Sequence, residues 1–262
     1  MTVDVGDMLR PLSARSVVAS TLLGTDPPAM AGRLLVAFGE RFGISPGTTR
    51  VALSRMIERG ELVNTDGVYQ LAGPLLERKE RQDRGRVDGS TTWDGTWEQA
   101  VVVATGRSPD RRATLRRSLA ALDLGELREG VWLRPANLDP LRLESVRAAV
   151  AGQVQWFQLA PVSQERAAAL VEDLFELEPW ADQARALSVA LEAARARLRS
   201  DDAALVDGFM LAAAALRHFV HDPRLPLVLE PTGWPAASLR AAYEGYQRDY
   251  QHLLRELFRR QR

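Results

Sequence analysis

The chain has 262 residues, 46% hydrophobic and 26% charged, the balance of an ordinary globular protein with room for roughly two or three domains. Its 34 basic and 34 acidic residues cancel, which argues against a uniformly basic, non-specific nucleic-acid binder while leaving room for a local basic face. Cysteine is absent, so disulfides, thiolate nucleophiles and thiolate metal sites are excluded.

The N-terminal MTVDVGDMLRPL carries acidic residues and no apolar core, unlike a secretory signal. No apolar run approaches the roughly 20 residues that span a bilayer, so no membrane association and a cytoplasmic location are expected. Ser13 to Leu23 reads as a first helix capped by Ser13, and Asp26-Pro27-Pro28 breaks the chain. Ala29 to Phe42 reads as a second helix with Leu34, Leu35, Ala37 and Phe42 apolar, followed by a tight turn at Gly43 and Ile44.

The next stretch, Gly43 to Ala72, is the most informative. Ser45 suits an N-cap, Pro46 the first helical position, and Gly60 a left-handed stop after about Arg59. Thr49, Ala52, Leu53 and Met56 form one inward stripe, with Thr48, Arg50, Ser54 and Arg55 largely off it. Leu62–Thr65 and Val68–Leu71 alternate as strands around Asp66-Gly67, a strong two-residue hairpin signal. A capped helix, a glycine stop and a hairpin are the signature of a winged helix-turn-helix, whose last helix enters the major groove. Arg50, Ser54 and Thr48 are then candidates for base-edge contacts, and Arg can donate two hydrogen bonds to guanine. Ser45, Thr49, Arg55 and Arg59 are candidates for further contacts to DNA, the hydroxyls and arginines suiting phosphates. Asn64, Thr65 and Gly67 would tip the wing towards the adjacent backbone or minor groove.

Leu75 to Arg86 is a highly charged candidate linking helix, and Gly89 to Thr92 a loop. A third segment begins at Trp93. Trp97–Thr105 reads as a strand, Arg111–Leu122 as a helix, Glu126–Glu129 with Gly130–Arg134 as a short hairpin, Asp139–Val150 as a helix and Val154–Ala160 as a last strand. That β-α-β-β-α-β order is a ferredoxin-like unit. From Ser163 onward the chain reads as helical over 163–175, 181–199, 201–221 and 236–260, with breaks at Pro179, Ser200 and 222–235. The last helix carries an aromatic and leucine stripe, Tyr243, Tyr246, Tyr250, Leu253, Leu254, Leu257 and Phe258, expected in a core or a dimer seam.

Several separated motifs resemble the phenylacetic-acid degradation repressor (PaaX) family of bacterial regulators. They are Thr49–Met56 with Gly60, Leu62 and Asp66–Leu71; the pair in Trp93-Asp94-Gly95-Thr96-Trp97; Arg112, Leu115, Arg116 and Leu119 leading to 124–127 and 130–135; and Arg217–Pro226 with Pro231 and Trp234-Pro235. The sequence departs from the family pattern at Ala236, where glycine is usual after Trp-Pro. The resemblance implies an α+β chain of three domains, a winged helix-turn-helix over 1–74, a ferredoxin-like domain over 93–162 and a helical C-terminal domain over 163–262, the first two joined by a linker helix and loop over 75–92. It also implies a homodimeric repressor that binds double-stranded operator DNA and is released by an acyl-CoA thioester such as phenylacetyl-CoA.

Arg107, Arg111, Arg112, Arg116 and Arg117 cluster about the start of one helix, where they read as a solvated basic face or as phosphate contacts to DNA or a CoA thioester. Trp93, Trp97 and Trp132 are candidates for an apolar wall around an acyl or aryl group. The alternative function is a metal-dependent nucleic-acid-processing protein built on the ferredoxin-like unit. Its first strand, however, ends Val103-Ala104-Thr105-Gly106 without the carboxylate that a divalent metal would need. His218 and His221 have ligand spacing near a helix end but no clear third ligand, and a helix C-terminus favours histidine through its dipole. No P-loop or dinucleotide-binding glycine motif is present. No enzymatic activity, cofactor or metal is expected.

Overall fold

The computed structural model describes residues 13–86, 92–106, 108–139, 144–198 and 202–259. The chain is an α+β protein with two antiparallel sheets. It divides into two compact units: one comprises the described residues of Met1–Asp83, Gln183–Arg217 and Ala237–Arg262, the other Arg84–Asp182 and His218–Ala236. The helices of 163–262 are thus shared between the two units. Among the described residues no helix is long and apolar enough to cross a membrane.

The first unit opens with α1 (Ala14–Leu23), α2 (Gly32–Arg41) and α3 (Pro46–Glu58). Ser13 Oγ accepts from the Ser16 N–H and caps α1. Leu35 of α2, Leu53 and Met56 of α3, and Val18 and Leu22 of α1 close one core with Leu62, Leu71 and Leu75. Residues 29–31, expected as the start of the second helix, form strand β1 (Ala29–Ala31) instead. The prolines at 27 and 28 bias the chain towards extended backbone, and β1 pairs with β3 (Val68–Leu71), Met30 opposite Tyr69. With β2 (Leu62–Thr65) the sheet runs β1-β3-β2. Helix α4 (Gly73–Arg86) follows.

Helices α8 (Leu177–Arg197), α9 (Asp202–Phe219) and α10 (Ala236–Arg259) contribute to this unit. Phe209 of α9 meets Phe38 and Phe42 with ring centroids 5.5 and 5.0 Å apart. Gln247 of α10 donates to the Gly24 carbonyl at 2.6 Å, capping the end of α1. The tyrosines of the expected stripe, Tyr243, Tyr246 and Tyr250, are buried inside this unit, with Tyr246 stacked on Tyr250 at 5.5 Å. The side chains of Leu254, Leu257 and Phe258 lie outside the described residues.

The second unit is built on β4 (Trp97–Val102), β5 (Gly125–Arg128), β6 (Val131–Pro135) and β7 (Val154–Leu159), in the order β5-β6-β4-β7 with every neighbour antiparallel. Helix α5 (Pro109–Ala120), capped by Ser108, and the short α6 (Glu144–Ala149) separate the strands. The expected loop at 89–91 and residues 140–143 of the helix expected over 139–150 lie outside the described residues. One sheet face, Ala100, Trp132 and Val154, packs on Leu115, Leu119 and Leu122. The other, Trp97 and Leu133, packs on α7 (Gln164–Leu174) through Ala167, Leu170 and Val171, and on Leu225 and Leu229.

Helix α8 starts at Leu177, ahead of the expected break at Pro179. Proline in the first helical turn lacks an N–H that would have no intrahelical acceptor, so it starts the helix instead of ending it. Trp180 lies between His218 and Trp234, stacked on both at 4.6 and 4.7 Å. The segment after α9 is tied to the sheet by a buried ion pair, Arg224 to Asp123, and by Asn137 Nδ2 donating to the Arg224 carbonyl at 2.9 Å.

Asp123→Asn tests that pair. Asn keeps the left-handed backbone that Asp123 adopts at φ 58° but removes the charge that Asp123 sets against the buried Arg224. A loss of about 3–5 kcal/mol, the usual cost of breaking a buried pair on one side, is expected in a urea or guanidinium unfolding curve; a loss below about 1 kcal/mol contradicts the assignment.

Candidate nucleic-acid interface

Local sequence places α3. Ser45 Oγ accepts from the Thr48 N–H at 3.2 Å and shares a hydrogen bond with Thr48 Oγ1 at 2.8 Å, while Pro46 occupies the first helical position. The preceding turn needs Gly43 at φ 71°, and Gly60 at φ 67° ends the helix. Thr49, Leu53 and Met56 are buried, so the opposite face turns outward. That face is centred on Gly47, Val51 and Ser54 and flanked by Arg50 and Arg55, all exposed. Ser54 Oγ donates to the Arg50 carbonyl at 3.2 Å.

Thr49 does not belong to this surface. It is 1% exposed, and its Oγ1 donates to the Ser45 carbonyl at 3.3 Å. It also faces Gly39, where a Cβ would lie 2.6 Å from Thr49 Oγ1. Its expected DNA contact is corrected to a helix-packing role. Val51 was not singled out from the sequence. It is 51% exposed on the outward face, where an apolar side chain suits a thymine methyl group. The available signal was a β-branched residue off the inward stripe.

The hairpin beside the helix turns at Asp66 and Gly67, both with positive φ (52° and 80°), as a two-residue type I′ turn requires. Asn64 Oδ1 accepts from the Gly67 N–H at 3.0 Å, so this side chain braces the turn. The Gly67 carbonyl accepts from the Gly32 N–H at 2.9 Å and fixes the hairpin to the start of α2. Asn64, Thr65, Asp66 and Gly67 are exposed at the tip, and Arg59 is exposed at the end of α3. Arg15 of α1 grips Glu61 through Nε and Nη2 at 2.9 and 2.6 Å, holding the glutamate carboxyl below its ordinary range.

Gly43-Ile44-Ser45-Pro46-Gly47 has the G-x-S-x-G spelling of a hydrolase nucleophile turn. A nucleophile turn follows a strand, whereas this one follows α2, and Ser45 Oγ is engaged in capping α3. The spelling reflects a helix cap.

The residues expected to bind an effector do not gather at one place. Trp97 is 1% and Trp132 5% exposed, on opposite faces of the second sheet. Trp132 is paired with Ala100, three residues along β4 from Trp97, and alternation along a strand turns such positions to opposite sides. Both are core residues, and one apolar wall cannot include them both. Half-buried Trp93 packs edge-on against Trp97 at 6.1 Å and donates from Nε1 to the Thr96 carbonyl at 2.6 Å. Arg116 is engaged with Glu126 at 2.5 Å and lies over the Trp132 ring. Arg111 and Arg112 are exposed in the first half of α5, and Arg107 lies outside the described residues.

His218 is buried against Trp180, and burial pushes its pKa down to about 4, so the ring is neutral. Stacking, not a dipole-favoured charge, accounts for its position. Among the described residues no group of three or more His, Cys, Asp or Glu side chains could hold a metal ion.

Comparisons with known proteins bear on this geometry. Residues 13–74 match the family described as PaaX-like protein, and residues 90–171 match the family described as PaaX protein central Cas2-like domain. No curated protein matches the chain. A solved structure, the uncharacterized protein Rv0674 from Mycobacterium tuberculosis, is 36% identical, covers 93% of this chain and 98% of its own, and superposes with a TM-score of 0.74.

The histidine sets a pH dependence. Its folded pKa lies below the unfolded value of 6.5, so the unfolded chain takes up the proton first and stability falls as pH drops from 6.5 towards 4. The contribution is about 2–3 kcal/mol. In His218→Phe, which keeps a ring against Trp180, the difference between denaturation midpoints at pH 7 and pH 4 shrinks; an unchanged difference assigns the acid sensitivity elsewhere.

Proposed function

The chain belongs to the PaaX-like family, and from that premise we propose that it is a DNA-binding transcriptional repressor of a catabolic operon, not an enzyme, released by an acyl-CoA-type effector such as phenylacetyl-CoA. Residues 1–74 act as a winged helix-turn-helix, 75–92 as a linker, 93–162 as a ferredoxin-like domain and 163–262 as the helical remainder. The observation that carries the reading is the outward face of α3. Arg50, Val51, Ser54 and Arg55 stand exposed above a buried stripe, beside a braced hairpin.

In this reading Arg50, Ser54 and Thr48 meet base edges in the major groove, with Val51 as an apolar contact. Arg55, Arg59 and Ser45 hold phosphates, and the exposed tip from Asn64 to Gly67 reaches the neighbouring backbone or minor groove. A homodimer places two such helices on a roughly palindromic operator about one helical turn apart. Arg111 and Arg112 are available for the phosphates of the effector. Release follows if the effector binds a dimer geometry that mismatches the operator more tightly than it binds the DNA-bound one.

A mobility shift on the DNA upstream of the chain's own gene cluster tests the reading. Arg50→Ala is expected to weaken specific binding by about 1–3 kcal/mol, or roughly five- to 150-fold, and to relax preference at one base pair. Arg55→Ala is expected to weaken all sequences alike and to reduce the salt slope by about one. No shift at low salt, or an Arg50→Ala protein that shifts as wild type does, sinks the proposal. A panel of acyl-CoA thioesters added to the preformed complex should include one that abolishes the shift at micromolar concentration while free CoA does not; uniform indifference to the panel removes the effector half of the reading.

A further inference from the structure

A group of arginines in the first unit lacks the carboxylates that would balance it, and the outward face of α3 does not use it. Leu75 packs into one core with Val18 and Leu22, which lays α4 against α1. Arg78 follows Leu75 by three residues and so falls on the same side of α4, with Arg81 one turn further on. Arg15 lies in the first turn of α1, and Arg217 stands near the end of α9. All four belong to the same compact unit. Arg78 is half-buried, and the charges of Arg217, Arg81 and Arg15 act on it.

The neighbouring acids are already committed. Arg15 holds both oxygens of Glu61, Oε1 at 2.6 Å and Oε2 at 2.9 Å. Glu77 reaches Arg81 at 4.0 Å, and Lys79 takes Asp83 at 2.5 Å. Four guanidinium groups thus stand with two carboxylates, and two positive charges are left over. Among the described residues neither Arg78 nor Arg217 has an ion-pair partner. Burial lowers the pKa of both below the ordinary arginine value, and for Arg78 the three nearby arginines lower it further. Their donors remain open: no nitrogen of Arg78 is sealed from solvent without a partner, and Arg217 is exposed. Partly desolvated like charges repel more strongly than charges in bulk water, so the unoccupied cluster is held at a cost.

We propose that Arg78 and Arg217, with Arg81 beside them, bind the diphosphate group of a small ester, whose oxygens take the open N–H groups of both guanidinium forks. Two surplus charges call for a compact group carrying at least two negative ones, and a planar fork matches two phosphate oxygens at once. A single carboxylate balances only half of the cluster. A half-buried fork is also reached more readily by a small terminal group than by the stiff, convex backbone of a duplex. The inference goes beyond the repressor reading and does not require that the protein bind DNA.

The test uses the full chain, with pyrophosphate, ADP and acetate as probes at one ionic strength, followed by calorimetry and thermal melting. Pyrophosphate and ADP are expected to saturate at one per chain and to raise the melting temperature; acetate is expected to do neither. Arg78→Met and Arg217→Met keep the apolar stem and remove the charge. Each is expected to weaken both phosphate probes about tenfold or more, as loss of a charge-assisted hydrogen bond predicts. Without ligand, Arg78→Met is expected to melt no lower than wild type, because a repulsion has been removed. Arg50→Ala is expected to bind the probes as wild type does. The proposal fails if pyrophosphate or ADP does not saturate, or if Arg78→Met, folded by circular dichroism, binds them unchanged. It fails if Arg78→Met melts well below wild type, which makes the arginine structural. It fails if Arg50→Ala loses the probes equally, which places them on α3, or if Arg78→Met loses operator DNA in parallel, which assigns the cluster to a duplex. A wild-type protein that binds pyrophosphate and ADP but shifts no DNA overturns the repressor reading alone.

Discussion

The close approach of α2 and α3 at Gly39 and Thr49 is the contact on which the outward surface of the first unit depends. A Cβ at residue 39 would lie 2.6 Å from the threonine hydroxyl, so any larger residue there would force Thr49 to shift. Thr49, Leu53 and Met56 are then drawn into the core with Leu35, Val18 and Leu22. A helix that buries one stripe must present the other, because its side chains repeat about every 100°. The exposure of Arg50, Val51, Ser54 and Arg55 is thus a consequence of packing.

The hairpin depends on the same geometry through backbone hydrogen bonds. The Gly67 carbonyl binds Gly32 at the start of α2, and Asn64 closes the turn from the other side. β1 adds a third strand to what would otherwise be a two-stranded ribbon, and such ribbons are marginal alone in water. Helix α3 and the hairpin are therefore held to one frame. Phe209 and Gln247 reach the same frame from α9 and α10, contacting α2 and the end of α1. Changes in those two helices thereby have a physical route to the α1–α3 bundle.

The second unit resolves a different problem, a sheet buried on both faces. Trp132 and Ala100 serve one core, Trp97 and Leu133 the other, and the strand alternation that separates them dispersed a tryptophan cluster that looked coherent in one dimension. The buried polar groups of this unit are handled by pairing across long sequence distances, Asp123 with Arg224 and Glu98 with Arg134 and Arg147. No spacing rule reveals such partners. The proline-rich run after α9, legible only as a helix breaker, supplies Leu225 and Leu229 to the core beneath Trp97.

Local chemistry by itself determined α3 and its caps, the Asp66-Gly67 turn, the inward stripe of Leu53 and Met56, and the β-α-β-β-α-β order of the second unit. Each follows from interactions within a few residues: a hydroxyl capping an amide, a glycine at positive φ, an apolar repeat. Pro27-Pro28 was legible as a break, but the strand it leads into was not, because β1 exists only by pairing with residues about forty positions away. Only the tertiary structure decided that Thr49, on the inward stripe, is too deeply buried for the contact also expected of it, that the tryptophans serve separate cores, and that two arginines share one glutamate. Those outcomes turn on which distant groups exclude water from one another, and nearest neighbours along a chain carry no record of that.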